Sequence, residues 1–351
     1  MGETVTEDRD RLLSLDYLRG LAALGIMVFH YTSWLHGKLG GQSFLGRVGV
    51  YGVSIFYILS GLTLYYVYRE KFHDLNSIST FFIKRFFRIY PLLWLVMIST
   101  ILLNRNLPPL QELFLNFTGL FGFLDWDSYI GVGVWSIGNE LTFYVAFPFF
   151  MLTLKRSGLV FTILGLSIFA IYLFFAFLII DPATDLSDQW RNYVNPLNQL
   201  FLFFSGIVVG HIFTQIPIST AVRLFLMLSS VLIFIFVPTG VEVVDTVFGI
   251  NRIVFTALCI IICIAFFNFN VNLPPGLQRL LSSLGEASYS VYLLHPVVYR
   301  LVGIFLSKFT VIGPSTRFGI SILVTLVGGY LVFNTFERHF MRLGKSVSAR
   351  W

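Results

Sequence analysis

Long apolar runs recur along the whole chain of 351 residues, and they restrict its fold more than any other feature of the sequence. The segment 161–180, for example, contains no charged residue. A run of about 18 or more apolar residues is long enough to cross the hydrocarbon core of a bilayer as a helix. The runs are continuously apolar, whereas the strands of a membrane barrel alternate between apolar and polar residues. We therefore predict an all-α polytopic membrane protein, since a helix satisfies its own backbone hydrogen bonds in lipid.

The composition agrees with a membrane solvent. Charged residues form only 12% of the chain and hydrophobic residues 56%, whereas a soluble domain carries about a quarter charged residues. This deficit excludes an ordinary water-soluble enzyme. The two cysteines, Cys259 and Cys263, lie four residues apart in one apolar run with no second Cys pair nearby. That setting predicts small core residues and not a metal or redox site.

About ten segments qualify as membrane spans. They are residues 17–35, 50–68, 82–103, 131–154, 159–180, 195–213, 222–238, 248–269, 286–306 and 317–336. The apolar stretch 113–124 is too short to cross, so we expect an interfacial or re-entrant piece on the outer side, with an eleventh span as the alternative. The acidic N-terminus argues against a cleaved signal peptide, and the first span is expected to stay in the membrane.

The distribution of basic residues predicts the orientation. With the N-terminus in the cytoplasm, the inner segments carry about twice as many Lys and Arg residues as the outer loops, as the positive-inside rule requires. Ten spans then place both termini inside. We expect a cytoplasmic segment 1–15, a transmembrane domain 16–338 and a cytoplasmic tail 339–351, in a multi-pass protein of the cell inner or plasma membrane. Membrane lipid is an expected partner, and assembly with a second copy of the chain is left open.

A few ionisable residues lie inside the predicted spans, where each one costs a few kcal/mol or more and is a functional candidate by default. Those that stand out are Asp16, Arg19, His30, Glu140 and His295. Glu337 and Arg300 lie near span ends, from which they could reach the interface, so they weigh less as candidates.

Arg19 and His30 share one stripe of the first helix. Eleven residues separate them, which leaves them about 20° apart around the helix and about 16 Å apart along it. His30 is the best candidate for a general base, although a lone buried histidine is more often a hydrogen-bonded core residue. Asp16 is three residues from Arg19, close enough for a salt bridge that orients the arginine.

A basic segment opens the third span. Lys84, Arg85 and Arg88 fall on one helix face, with aromatic residues on the other. Two interpretations remain open from the residues alone. The segment could anchor the helix to anionic lipid headgroups, or its guanidinium groups could clamp the phosphates of a cytoplasmic ligand.

Glu140 and His295 each have more than one interpretation. Glu140 could be a buried acid, a partner for a sugar hydroxyl, or half of an ion pair with Arg300. His295 follows a run of hydroxyl-bearing residues and precedes Pro296, at a turn where a freed carbonyl or a water can be held. A structural and a functional role for His295 are equally open.

The motifs taken together resemble the membrane acyltransferase 3 family over residues 15 to about 337. The first helix is similar to the family's Arg-x10-His pattern at Arg19 and His30. Four further matches follow in the family's order at residues 52–61, 85–91, 135–148 and 288–295. We expect the stand-alone form of the family, without an appended SGNH-type domain.

The resemblance implies an integral membrane O-acyltransferase that moves an acyl group, acetyl by default, from cytoplasmic acyl-CoA to a hydroxyl of a carbohydrate or glycolipid. Acyl-CoA would be a donor substrate and not a permanent cofactor; neither a metal nor a nucleic acid is expected. Arg85, Arg88 and Arg19 would hold the phosphates, and His30 would deprotonate the acceptor or take the acyl group. Glu140 would position the acceptor or orient His30. The side chains expected to contact the acceptor are Trp135, Tyr144, Tyr292 and His295.

Two other classes of protein compete with this interpretation. A transporter or flippase could use the intramembrane Asp, Arg, His and Glu residues to relay protons or bind an ion. Such proteins often contain inverted repeats, and we see no internal symmetry of that kind. A non-catalytic scaffold would explain the apolar bulk but not an arginine and a histidine in line.

Overall fold

The computed structural model describes residues 12–72, 74–270, 272–308 and 313–350, and all regular structure in them is helical. Within these residues, nine helices are long and apolar enough to cross a membrane. A further apolar helix, Thr220–Phe236, has 17 residues and occupies the position of the seventh predicted span. The prediction of an all-α polytopic membrane protein is confirmed. Residues 1–11 of the predicted N-terminal segment, and Trp351 of the tail, lie outside the described residues.

The helices are numbered in chain order. They are α1 Leu13–His36, α2 Phe44–Tyr68, α3 Leu75–Asn104, α4 Leu110–Thr118, α5 Phe121–Leu124, α6 Val134–Arg156, α7 Gly158–Phe174, α8 Trp190–Tyr193, α9 Pro196–Phe213, α10 Thr220–Phe236, α11 Val244–Val247, α12 Gly249–Phe266, α13 Pro275–Glu286, α14 Ser288–Leu306, α15 Pro314–Val332 and α16 Arg338–Ser348. Single π-helical turns, Phe175–Ile179 and Phe333–Glu337, extend α7 and α15.

The long helices run alternately up and down, so the bundle has two ends. We call the end at which α1 begins the proximal end, and the opposite one the distal end. At the proximal end, the Lys155 ammonium donates to the Phe72 carbonyl at 3.1 Å. At the distal end, Gly41 N–H donates to the Val241 carbonyl at 2.8 Å. These contacts tie loops that are far apart in sequence.

α2 lies at the centre of the bundle, and its contact with α9 depends on glycine. A Cβ atom added to Gly61 would collide with the Phe203 carbonyl, and one added to Gly206 would collide with the Ile58 carbonyl. Small residues at such a crossing let two backbones approach closely, which strengthens van der Waals packing where lipid offers no hydrophobic gain.

Two arginines, Arg47 and Arg223, are buried at helix ends. Arg47 is 3% exposed and donates to the carbonyls of Phe234 and Val237 at the end of α10, at 2.7 and 2.8 Å. Arg223 donates to the carbonyls of Ile264 and Phe267 at the end of α12. The last carbonyls of a helix have no hydrogen-bond donor within the helix, and they carry partial negative charge. A guanidinium donates hydrogen bonds to them and compensates that charge.

Three segments between or after the predicted spans are also helical. The apolar stretch 113–124 forms two short helices, α4 and α5, joined at Gly119. The loop before the ninth span contains the amphipathic helix α13, and the tail forms the helix α16.

Both cysteines are free and fully buried, which confirms them as core residues.

Candidate active site

A cavity of about 210 Å³ lies among α1, α2, α3, α6 and α14. We call it the arginine cavity because Arg19, Arg85 and Arg88 all line it. Glu140 and Tyr144 line it as well. Tyr292 is a further lining residue, so the fold brings together six residues that were nominated from four separate motifs of the sequence.

Arg19 is held in place by its neighbours. Its Nη1 lies 3.3 Å from Asp16 Oδ1, which confirms the predicted salt bridge. Its Nη2 donates to the Thr63 hydroxyl at 3.1 Å. That hydroxyl in turn donates to the Leu59 carbonyl at 2.6 Å. One partner on its own helix and one on α2 therefore fix the guanidinium.

Arg85 and Arg88 bring guanidinium groups from α3. The Arg85 group lies against the rings of Phe81 and Tyr144, at 5.9 and 5.8 Å from their centroids. Its Nε is buried without a hydrogen-bond partner in the described part of the chain. Arg88 Nη1 donates weakly to the sulfur of Met341 in α16, at 3.6 Å. A cavity lined by three guanidinium groups suits an anionic ligand.

Glu140 is the acidic residue among those that line the arginine cavity. The Tyr144 hydroxyl donates to its Oε1 in a short hydrogen bond, and the Ser60 hydroxyl donates to the same oxygen at 3.1 Å. An ion pair with Arg300 does not form. Arg300 lies at the exposed distal end of α14, where it donates to the Asn104 side chain and to the Leu103 carbonyl.

A second cavity, of about 960 Å³, lies toward the distal end. We call it the aromatic cavity because eight aromatic side chains line it together with His30. They are Phe29, Trp34, Tyr129, Trp135, Trp190, Tyr193, Tyr292 and Tyr299. Its loop side is fixed by hydrogen bonds, since Trp190 Nε1 donates to the Tyr129 hydroxyl at 2.9 Å.

His30 faces the aromatic cavity and not the arginine cavity. Its ring stacks on Trp34 and on His295, with centroid separations of 5.3 and 5.2 Å. No residue in the described ranges forms a hydrogen bond with its ring, so its ring nitrogens are available to a ligand. Arg19 and His30 therefore lie on one stripe of α1, as predicted, but open into different cavities.

His295 is fully buried beneath His30 and lines neither cavity. Pro296 has no N–H, so the Tyr292 carbonyl one turn earlier loses its helical partner. His295 Nδ1 lies 2.6 Å from that carbonyl and donates to it. The predicted freed carbonyl is thus held by the histidine itself, and this bond places the proton on Nδ1. Nε2 has no partner among the described residues.

His295, which was predicted to contact the acceptor, and Asp16, which pairs with Arg19, line neither cavity, and the other predicted site residues divide between the two. Tyr144 lies with the arginines, whereas Trp135 lines the aromatic cavity and Tyr292 lines both. Glu140 and His30 line different cavities. Glu337, near the end of a predicted span, is 2% exposed, and its Oε2 accepts a hydrogen bond from the Ser290 hydroxyl at 2.7 Å.

Several lining residues were not predicted from the sequence. Trp34 carried a usable signal, because it lies four residues after His30 and so on the same helix face. Ser60 and Ser136 lie inside quoted motifs but were not nominated. Tyr299 and Tyr129 gave no sign of a shared site, since only the tertiary fold brings them together.

Comparison with known proteins places this arrangement in a family. The acyltransferase 3 family model, described as an acyltransferase domain, matches residues 12–334. The chain belongs to this family. That finding confirms the resemblance seen in the motifs.

Individual relatives are more distant. Acyltransferase MdmB of Streptomyces mycarofaciens is 27% identical over 318 residues, which cover 83% of this chain and 79% of that protein. A Staphylococcus aureus (strain COL) protein named "Putative O-acetyltransferase" is 26% identical over 223 residues, 56% of this chain. The chain spans about a third of the length of the curated S. aureus relatives it matches. No solved structure matches the chain significantly.

Proposed function

We propose that the chain is an integral membrane O-acyltransferase, which moves an acyl group from acyl-CoA to a hydroxyl of a carbohydrate or glycolipid. One observation carries the proposal. A cavity with three arginines, toward one end of the bundle, has two lining residues in common with a cavity that holds an accessible histidine toward the other end. Such a pair of cavities fits a charged donor and a separate acceptor.

The arginine cavity is the proposed donor site. Guanidinium groups bind phosphate oxygens in bidentate fashion, and CoA carries a diphosphate and a further phosphate. The basic residues of the sequence favour a cytoplasmic proximal end, where acyl-CoA is available. Arg19 and His30 lie about 16 Å apart along α1, which is of the order of an extended pantetheine arm. The thioester would therefore reach His30 while Arg85 and Arg88 hold the phosphates.

His30 is the proposed catalytic residue. In direct transfer, its ring nitrogen takes the hydroxyl proton of the acceptor, whose oxygen then bonds to the thioester carbon. The carbon–sulfur bond breaks, and the CoA thiolate leaves with its electron pair. In the covalent route, His30 attacks the thioester first and passes the acyl group on. Both routes need the free ring nitrogen that the aromatic cavity offers.

The aromatic cavity is the proposed acceptor site. Binding pockets for small molecules combine apolar and aromatic walls with a few polar groups, and this cavity matches that description. Flat aromatic faces such as Trp135 and Trp34 suit the apolar face of a sugar ring. We place the protein in the cell inner or plasma membrane, with acetyl as the first acyl group to test.

The test is whether the detergent-purified full chain binds acetyl-CoA and hydrolyses it slowly without an acceptor. Calorimetry measures binding, and release of the free CoA thiol measures hydrolysis. We expect both. Absence of both, together with an ion or lipid flux in proteoliposomes, would favour the transporter instead.

A further inference from the structure

Arg300 brings a permanent charge to the aromatic cavity. Among the described residues that line this cavity, it alone is a Lys, Arg, Asp or Glu residue. Arg300 is also exposed. A residue that is both exposed and part of the lining lies where the cavity wall meets the molecular surface. We call this position, on the distal part of α14, the rim of the aromatic cavity.

The contacts of Arg300 fix its position but leave its charge without a counterion. Its Nη1 donates to the side-chain oxygen of Asn104, and its Nη2 donates to the Leu103 carbonyl at 2.8 Å. Both partners are uncharged, and no carboxylate in the described ranges forms an ion pair with Arg300. A guanidinium has five N–H donors, so further donors remain available to a ligand.

Two other exposed cations at the distal end do have carboxylate partners. Arg191 Nη1 lies 2.9 Å from Asp125 Oδ1, and Lys38 Nζ lies 2.9 Å from Asp185 Oδ2. Neither cation lines the aromatic cavity. The cation that does line it, Arg300, is thus available to an anionic group of a ligand, which a guanidinium can bind through two parallel hydrogen bonds.

Aromatic rings extend from His30 toward the rim. The Trp34 ring lies 5.3 Å from the His30 ring and 4.9 Å from that of Tyr299, which precedes Arg300 in α14. His30 stacks on His295, and Arg300 follows His295 by five residues, or about 7.5 Å along the helix. This separation is of the order of one or two sugar rings. A ligand with a hydroxyl at His30 would therefore extend over these rings to Arg300.

We propose that the acceptor carries an anionic group, a carboxylate or a phosphate, which Arg300 binds while the acceptor hydroxyl lies at His30. The inference rests on the proposed function, because it takes the aromatic cavity as the acceptor site. Arg300 takes no part in the chemistry. It selects acidic acceptors and fixes which end of the acceptor faces the surface. A partly enclosed cavity strengthens the attraction, since its effective dielectric constant is below that of water.

Calorimetry with matched sugars tests the inference. The full chain is purified in a detergent without a sugar headgroup. Methyl glucoside is neutral, methyl glucuronide carries a carboxylate on the same ring, and phosphorylated methyl glucoside carries a phosphate. We expect at least one anionic sugar to bind about tenfold to a hundredfold more tightly than methyl glucoside, the contribution of a hydrogen bond to a charged group. Arg300→Gln should remove this preference, and Arg300→Lys should retain part of it.

Arg105→Gln is the matched control. It makes the same substitution in an exposed arginine at the end of α3, which lines neither cavity, so it should keep the wild-type preference. Size-exclusion chromatography and CoA binding establish that each variant is folded. A further probe is dodecyl phosphate, which carries an anion but no sugar, because an exposed arginine could instead bind a lipid headgroup.

Equal affinity of the wild type for all three sugars, including no detectable binding of any of them, would overturn the inference. An unchanged preference in folded Arg300→Gln protein would do the same. Arg300-dependent binding of dodecyl phosphate but of neither anionic sugar would also overturn it, because Arg300 would then serve a lipid headgroup. Failure of the proposed function looks different, since CoA binding and slow release of CoA thiol, which need no acceptor, would then be absent.

Discussion

Removal of the Arg85 guanidinium should weaken CoA binding through its phosphates alone. The group lines the arginine cavity, and its Nε has no acceptor in the described part of the chain. A hydrogen bond to a charged group contributes about 1.5–3 kcal/mol. Loss of one such bond in Arg85→Ala therefore predicts a rise in Kd of about tenfold to a hundredfold.

The assay is calorimetric titration of the detergent-purified protein with CoA and, separately, with pantetheine, which carries no phosphate. Arg85→Ala should weaken CoA binding and leave pantetheine binding unchanged. Arg85→Lys keeps the charge but loses the planar fork, so its Kd for CoA should lie between those of the wild type and the alanine variant.

Lys84→Ala provides the matched control. It removes one positive charge from the adjacent residue of α3, which does not line the arginine cavity. We expect near wild-type CoA affinity. Equal loss of affinity in the Lys84 and Arg85 variants would refute the reasoning, because it would show a diffuse charge effect and not a phosphate site. An unchanged Kd for CoA in Arg85→Ala would instead favour the interpretation that the basic segment anchors α3 to lipid headgroups.

Three further predictions follow from the same structure. His30→Ala should lower acyl transfer by about 10²–10⁴-fold with CoA affinity retained; full activity would remove His30 from the mechanism. Gly61→Ala should destabilise the folded protein by about 1–3 kcal/mol, since the added Cβ collides with the Phe203 carbonyl. Gly319→Ala, which meets nothing within 4 Å, should show no such loss in a thermal-shift assay. A reporter fused after Lys155 should be cytoplasmic, and an external signal would reverse the predicted orientation.

Single functional residues can be found from the sequence because lipid makes them conspicuous. A charged or titratable side chain in an apolar run is costly, so Arg19, His30 and Glu140 stand out from the residues around them. The 3.6-residue period of the helix also places Arg19 and His30 on one stripe. The cost of a charge in an apolar run and the helical period both depend only on residues within one segment, so both can be read from the local sequence.

The partners of these residues could not be found in the same way. Glu140 bonds to Tyr144 within its own helix, but its other hydrogen bond comes from Ser60 on α2. Arg300, considered as its ion-pair partner, lies toward the distal end of α14. The residues around Glu140 and Arg300 in the sequence give no reason to exclude that ion pair. Which helices are neighbours depends on packing between spans, and apolar helices look alike in a sequence.

By itself, the sequence determined the solvent, the helical fold class, the family resemblance and the individual candidate residues. Only the tertiary structure decided that most of the candidates divide between an arginine cavity and an aromatic cavity. The reason is physical. Hydrophobicity and helical period are properties of one segment, whereas a cavity is the space that several packed segments leave, and its shape depends on contacts such as Gly61 against Phe203.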